Sequence, residues 1–116
     1  IIHALDNLLV NAYESSNFSE ASLIKINTSF LIGESIKIPN IKNNIKKNSI
    51  KINITDNGIG ISHELLEKIF LPFFSTKKRG SGVGLFLVKK IINDHEGTIV
   101  VESKNGITSV EMTLPF

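Results

Sequence analysis

Cysteine is absent from this sequence, and neither sign of charge is in large excess: 13 Lys and Arg stand against 11 Asp and Glu, a formal net charge of +2. Without thiols there is no disulfide and no thiolate metal site, so any metal must be a hard cation held by oxygen or nitrogen, with magnesium the natural candidate. The small net charge argues against a nucleic-acid surface. Five lysines (Lys37, Lys42, Lys46, Lys47, Lys51) crowd one Asn- and Ile-rich segment, where they read as the solvated part of a connection. No apolar run approaches the roughly 20 residues needed to cross a bilayer, and no basic start followed by an apolar stretch opens the chain. A soluble, cytoplasmic piece without membrane contact is expected. Internal repeats are lacking too, and so is an N-cap: Ile1, Ile2, Leu5, Leu8, Leu9 and Ala12 already keep helical spacing. Residues 1–116, 41% hydrophobic, therefore read as one domain excised from a longer protein.

Periodicity sets out the elements. The first helix runs to about residue 17, and its other side carries Asn7, Asn11 and Glu14 as a polar stripe. Ile24, Ile26, Thr28 and Phe30 alternate as in a half-buried strand, and Ile50, Ile52 and Ile54 form a second. The segment between them, interrupted by Pro39, reads as a long hairpin connection. A short helix is expected near His63 to Ile69, and another from about Gly84 to His95, which Gly97 can end in a left-handed turn. Strands centred on Ile99 and Val101, and on Val110, Met112 and Leu114, flank an Asn105-Gly106 turn. Strands and helices in this order predict a mixed sheet with helices packed on one face.

Three features carry chemistry. In GSGVGL, the glycines at 80, 82 and 84 allow backbone N–H groups to approach a phosphate at a helix start; a flexible loop before an ordinary helix is the other reading. It is neither the dinucleotide fingerprint, which follows a strand in a βαβ unit, nor a Walker loop, which needs Lys-Ser/Thr after the glycines. In DNGIGI, a carboxylate at a strand end can accept a hydrogen bond from an exocyclic amine such as that of adenine, while glycines let a flat ring lie against backbone. A simple turn with local Asp56 and Asn57 hydrogen bonds is the bland alternative. The asparagine stripe offers neutral amide oxygens that can bind magnesium when a triphosphate supplies the negative charge, or it is merely a wet helix face.

Taken together, the segments NLLVNAYES, DNGIGI, IFLPFFSTK and GSGVGLFLVKKII resemble, in family order, the boxes of the ATP-binding catalytic domain of bacterial sensor histidine kinases. The likeness is to the nitrogen-regulation type, within the superfamily of gyrase B-type ATPases, ATP-driven chaperones and mismatch-repair ATPases. It spans almost the whole chain. It implies the Bergerat ATP-binding fold: an α/β (α+β) two-layer sandwich with a mixed, mainly antiparallel sheet of about five strands and three helices on one face.

The resemblance also implies roles. Asn11 would be the magnesium ligand, with Asn7, Asn11 and Lys77 serving phosphoryl transfer. Asp56, Gly58, Gly60 and Ile61 would meet the adenine, Ile69 and Phe74 line the cavity, and Lys77 approach the terminal phosphates. Gly80, Ser81, Gly82, Val83, Gly84 and Leu85 would surround the triphosphate, and Thr108 or Ser109 would lie near the adenine. Where ATP-hydrolysing relatives carry a glutamate base, this chain has Asn7, and an amide cannot act as that base. The implied activity is transfer of the γ-phosphate of Mg-ATP to a histidine on a helical dimerisation domain, in a homodimeric kinase serving a response regulator. An anti-sigma-type serine kinase, a nucleotide-dependent protein-binding regulator of the same fold, is the alternative; a module without nucleotide is a third. His3, His63 and His95 fall in nucleotide-domain segments and read as structural or exposed rather than phospho-accepting. Glu96-Gly97 stands where the family often has two glycines.

Overall fold

The computed structural model describes residues 1–15, 22–36, 45–72, 74 and 84–116. Helix α1 spans Ile2–Ser15, strands β1 and β2 span Ile24–Ile36 and Ile45–Asp56, helices α2 and α3 span His63–Leu66 and Gly84–Asp94, and strands β3 and β4 span Thr98–Lys104 and Ile107–Pro115. The sheet order is β1-β2-β4-β3, and all three pairings are antiparallel. β4 therefore inserts between β2 and β3, and the stretch holding α2 and α3 carries the chain across it.

Strand alternation decides which face the helices cover. Ile52 and Ile54 of β2 lie opposite Met112 and Val110 of β4, which in turn face Ile99 and Val101 of β3. Against this apolar face pack Ala4, Leu8 and Ala12 of α1, four residues apart, and Val88 and Ile92 of α3. Two alanines in the α1 stripe let that helix come close to its neighbours. Ile54, Ile92, Met112 and Val88 are the largest fully buried apolar side chains, each contributing roughly 1.5–3 kcal/mol by leaving water. The opposite face is polar: Asn53 donates to Ser109 Oγ at 3.0 Å, and Lys51 pairs with Glu111 at 3.3 Å.

The architecture matches the expected two-layer α+β sandwich, with differences of detail. Among the described residues the sheet has four strands rather than about five, with no parallel pair. The expected second strand and connection are redistributed, because β1 and β2 continue into that connection. Past a bulge, where Ile32 and Gly33 oppose Asn48, the ladder resumes with Glu34 opposite Lys47 and runs to Ile36 opposite Ile45. Asn48 Oδ1 accepts the Gly33 N–H at 3.0 Å, satisfying a donor the bulge takes out of the ladder. Of the five clustered lysines, Lys46, Lys47 and Lys51 stand on β2, while residues 37–44, with Lys37 and Lys42, lie outside the described residues. α1 and α3 form the helical layer, while α2 is one turn beside β3.

The end of α3 also differs from expectation. The Gly97 N–H bonds to Ile92 O at 2.9 Å and the Glu96 N–H to Asn93 O at 2.9 Å, the paired bonds of a Schellman close. Glu96, with φ of 59°, takes the left-handed position expected of Gly97. Gly97 is needed for another reason: a Cβ there would sit 2.6 Å from Thr113 O and 2.9 Å from Leu114 Cδ2. The Asn105-Gly106 turn forms as expected, with φ of 54° and 76°.

Candidate functional site

At one end of the sheet the helix-covered face turns from apolar to polar. Asp56, the last residue of β2, lies opposite Thr108 of β4, and Thr108 opposite Ser103 of β3. Asp56 and Thr108 are buried, at 7% and 6% exposure, so their polar atoms need partners. Two come from close by. The Ser15 hydroxyl, at the last residue of α1, donates to Asp56 Oδ1 at 2.8 Å, and the Gly58 N–H donates to the same oxygen at 3.0 Å. Thr108 Oγ1 and Ser103 Oγ lie 2.9 Å apart, and Ser103 Oγ also accepts the Ile61 N–H at 2.9 Å.

The DNGIGI turn is thereby tied on three sides. Ser15 O accepts the Ile59 N–H at 3.0 Å, fastening the turn to the end of α1. Asn57 holds the entry to β1, its Oδ1 accepting the Leu23 N–H at 2.7 Å. Gly58 lies so close beneath α1 that a Cβ would collide with the hydroxyl and carbonyl oxygens of Ser15. Gly60 has φ of 78°. Ile59, between them, is 79% exposed.

Topology brings two further features to this end. Residues His95 to Gly97 turn α3 back over β3, which directs its Gly84 start toward the Ser103 end of that strand. α1 runs against α3, since Ile1 and His95 share a surface hollow at the far end of the molecule. The C-terminal end of α1 and the N-terminal start of α3 therefore lie toward the Asp56 end. Asn7 and Asn11, half-buried, precede Ser15 at steps of four and share its side of α1.

Of the residues singled out from sequence, Asp56, Gly58, Gly60, Ile61 and Thr108 come together at this end of the sheet, with Asp56 and Gly58 bonded in one group through Ser15 and Thr108 and Ile61 in a second through Ser103. Ser109 does not: it points to the opposite face of the sheet, toward Asn53, so only Thr108 of that pair stands beside Asp56. Ile69 is buried, while Phe74, Gly84 and Leu85 are half-buried. Lys77, Gly80, Ser81, Gly82 and Val83 lie outside the described residues. Sequence reasoning missed Ser15 and Ser103 as members of the cluster. Continuing the Asn7-Asn11 spacing by four reaches Ser15, and continuing Ile99-Val101 by two reaches Ser103.

Among the described residues no group of three or more His, Asp or Glu side chains could hold a metal ion. The donors on α1 are the neutral amides of Asn7 and Asn11, a set that fits magnesium arriving with its own phosphate ligands and not a metal held by protein alone. Two surface hollows lie elsewhere. One is walled by Phe70, Phe86, Lys89, Lys90, Asn93 and Asp94, with Lys89 Nζ 5.0 Å over the Phe70 ring; the other is the far-end hollow beside Ile1. His3, His63 and His95 are exposed, and no helix among the described residues is long and apolar enough to cross a membrane.

Comparison with known proteins bears on the family and the fold. The chain is 33% identical over 115 residues to the sensory histidine kinase/phosphatase NtrB of Rhizobium leguminosarum bv. phaseoli, covering 99% of this chain and 30% of that protein. It is 49% identical over 57 residues to the sensor histidine kinase ZraS of Escherichia coli O157:H7, covering 49% of this chain and 12% of that protein. The catalytic domain of histidine kinase ThkA superposes with a TM-score of 0.74 at 32% identity, covering 97% of this chain and 63% of that one. The chain thus spans about 30% of the length of the NtrB protein it matches from end to end. The model for the histidine kinase-, DNA gyrase B- and HSP90-like ATPases matches residues 1–116, and the chain belongs to that family.

Proposed function

We propose that this chain is the ATP-binding catalytic domain of a sensor histidine kinase, separate from the helical domain that carries the phospho-accepting histidine. In this reading it binds Mg-ATP at the Asp56 end of the sheet. The γ-phosphoryl group then passes to an imidazole nitrogen: the bond to the ADP oxygen breaks, an N–P bond forms, and the imidazole proton leaves to solvent. The whole protein acts as a homodimer that passes phosphate on to a response regulator.

One observation carries the reading. Asp56 is a buried carboxyl whose protein hydrogen bonds, among the described residues, both fall on Oδ1. The other oxygen is left to accept a donor, which is what recognition of an exocyclic amine requires. Asn11 supplies an amide oxygen suited to magnesium, which contributes charge neutralisation of the triphosphate when bound. Asn7, standing where hydrolytic relatives have a carboxylate base, supports transfer over hydrolysis. The domain's part in such a reaction is positioning and electrostatics, with Lys77 and the Gly80 to Leu85 segment assigned to the phosphates.

Calorimetric titration of ATP tests this. Asp56→Asn is expected to weaken binding by roughly 1.5–3 kcal/mol, through loss of a charge-assisted acceptor, and an unchanged dissociation constant refutes the adenine role. Affinity is expected to rise with magnesium in the parent and to lose that dependence in Asn11→Ala; equal affinities with and without the ion in the parent remove the metal assignment.

A further inference from the structure

We propose that Ser15 is a positioning residue that sets selectivity for a 6-amino purine, acting through Asp56; this rests on the reading that Asp56 meets the purine amine. A carboxyl group free to turn about its last bond presents either oxygen to a ligand and adapts to several donor patterns. In this fold it is not free. The Ser15 hydroxyl at 2.8 Å and the Gly58 N–H at 3.0 Å converge on Oδ1, two donors on an oxygen that has two lone pairs. Rotation breaks both bonds at a residue only 7% exposed, where lost hydrogen bonds are costly. Oδ2 is therefore the acceptor offered to a ligand, and its direction is fixed from α1.

Ser15 is placed to do this by more than one contact. Its carbonyl accepts the Ile59 N–H at 3.0 Å, and the close approach of Gly58 holds the turn beneath it. The residue thus fixes both the carboxyl and the backbone on which a purine would lie. A 6-amino purine donates to a fixed acceptor; a 6-oxo purine brings a carbonyl oxygen against it, and a purine bare at that position gains nothing from it. Loss of the Ser15 hydroxyl therefore falls on the amine contact and spares the rest of the nucleotide.

The test compares dissociation constants for ATP and for purine riboside triphosphate, which lacks the 6-amine, in the 116-residue chain. Ser15→Ala is expected to weaken ATP about three- to tenfold while leaving the bare purine unchanged. Ser15→Thr restores the ratio, and its isostere Ser15→Val does not, which separates the hydroxyl from packing should thermal unfolding show the alanine variant to be poorly folded. Equal weakening of both nucleotides, or no change in either, overturns the positioning role. Asp56→Asn in the same series distinguishes the failures. If it weakens ATP while Ser15→Ala and Ser15→Val keep the parent ratio, only the Ser15 proposal falls; if it leaves ATP unchanged, the adenine reading and the proposal fall together.

Discussion

Gly58 shows how little room the cluster leaves. A methyl group there meets the carbonyl oxygen of Ser15, a backbone atom at the end of a packed helix, and not the yielding tip of a long side chain. Gly58→Ala must therefore displace the end of α1 or the turn, at a cost of about 2–3 kcal/mol in unfolding free energy by urea titration. A cost near zero shows that the two segments part easily. At this scale the sequence was partly legible. The DNGIGI turn is local, so its residue types announce both the carboxyl and the need for bare backbone. Ser15 is 41 residues from Asp56 along the chain, and no local signal records that they touch. The choice between Thr108 and Ser109 is legible in the alternation: Val110, Met112 and Leu114 occupy the helix-covered face, which puts Thr108 on it and Ser109 on the other.

The close of α3 illustrates how an element can be read correctly and its chemistry misassigned. Periodicity and a glycine placed the helix end within a residue or two, yet the left-handed backbone falls on Glu96 and the steric demand on Gly97. Positions 96 and 97 thus answer two different requirements, and this chain meets one of them at a cost. A non-glycine residue in the left-handed region loses about 1–2 kcal/mol, partly offset by the lower chain entropy of its unfolded state. Glu96→Gly is accordingly expected to raise stability by up to about 1 kcal/mol, seen as a higher thermal midpoint without change in ATP affinity; a lowered midpoint shows that the Glu96 side chain contributes more than the strain removes. The long β1-β2 arm was less legible. Its Asn and Lys content reads as loop, but cross-strand pairing through the Gly33 bulge outweighs composition.

Over the whole molecule, one core holds the two layers in register, and the site depends on it at a distance. Ile92 is fully buried in the cluster that joins α3 to α1, Ile54 and Met112. Ile92→Ala is expected to cost about 2–5 kcal/mol, shifting the urea midpoint with the slope unchanged. That is a large share of the roughly 5–15 kcal/mol typical of a domain, so a shift corresponding to less than 1 kcal/mol indicates a loosely packed layer. Fold class was open to reading because alternation and helical spacing are both plain in an isoleucine-rich chain. Strand order was not, since insertion of β4 between β2 and β3 is decided by which long-range pairs bury the most surface.

The antiparallel run of α1 and α3 has a geometric consequence for attachment. Ile1 and Phe116 border the same hollow, with Phe30 edge-on to Phe116 at 5.2 Å between ring centres. The Phe116 N–H bonds to Asn48 O, eight residues along β2 from Asp56, a span of about 25 Å at strand rise. Residues 1 and 116 thus lie at the pole opposite the Asp56 turn. A tether fastened at either one, or at both, leaves the Asp56 end unobstructed and able to face whatever surface is brought to it.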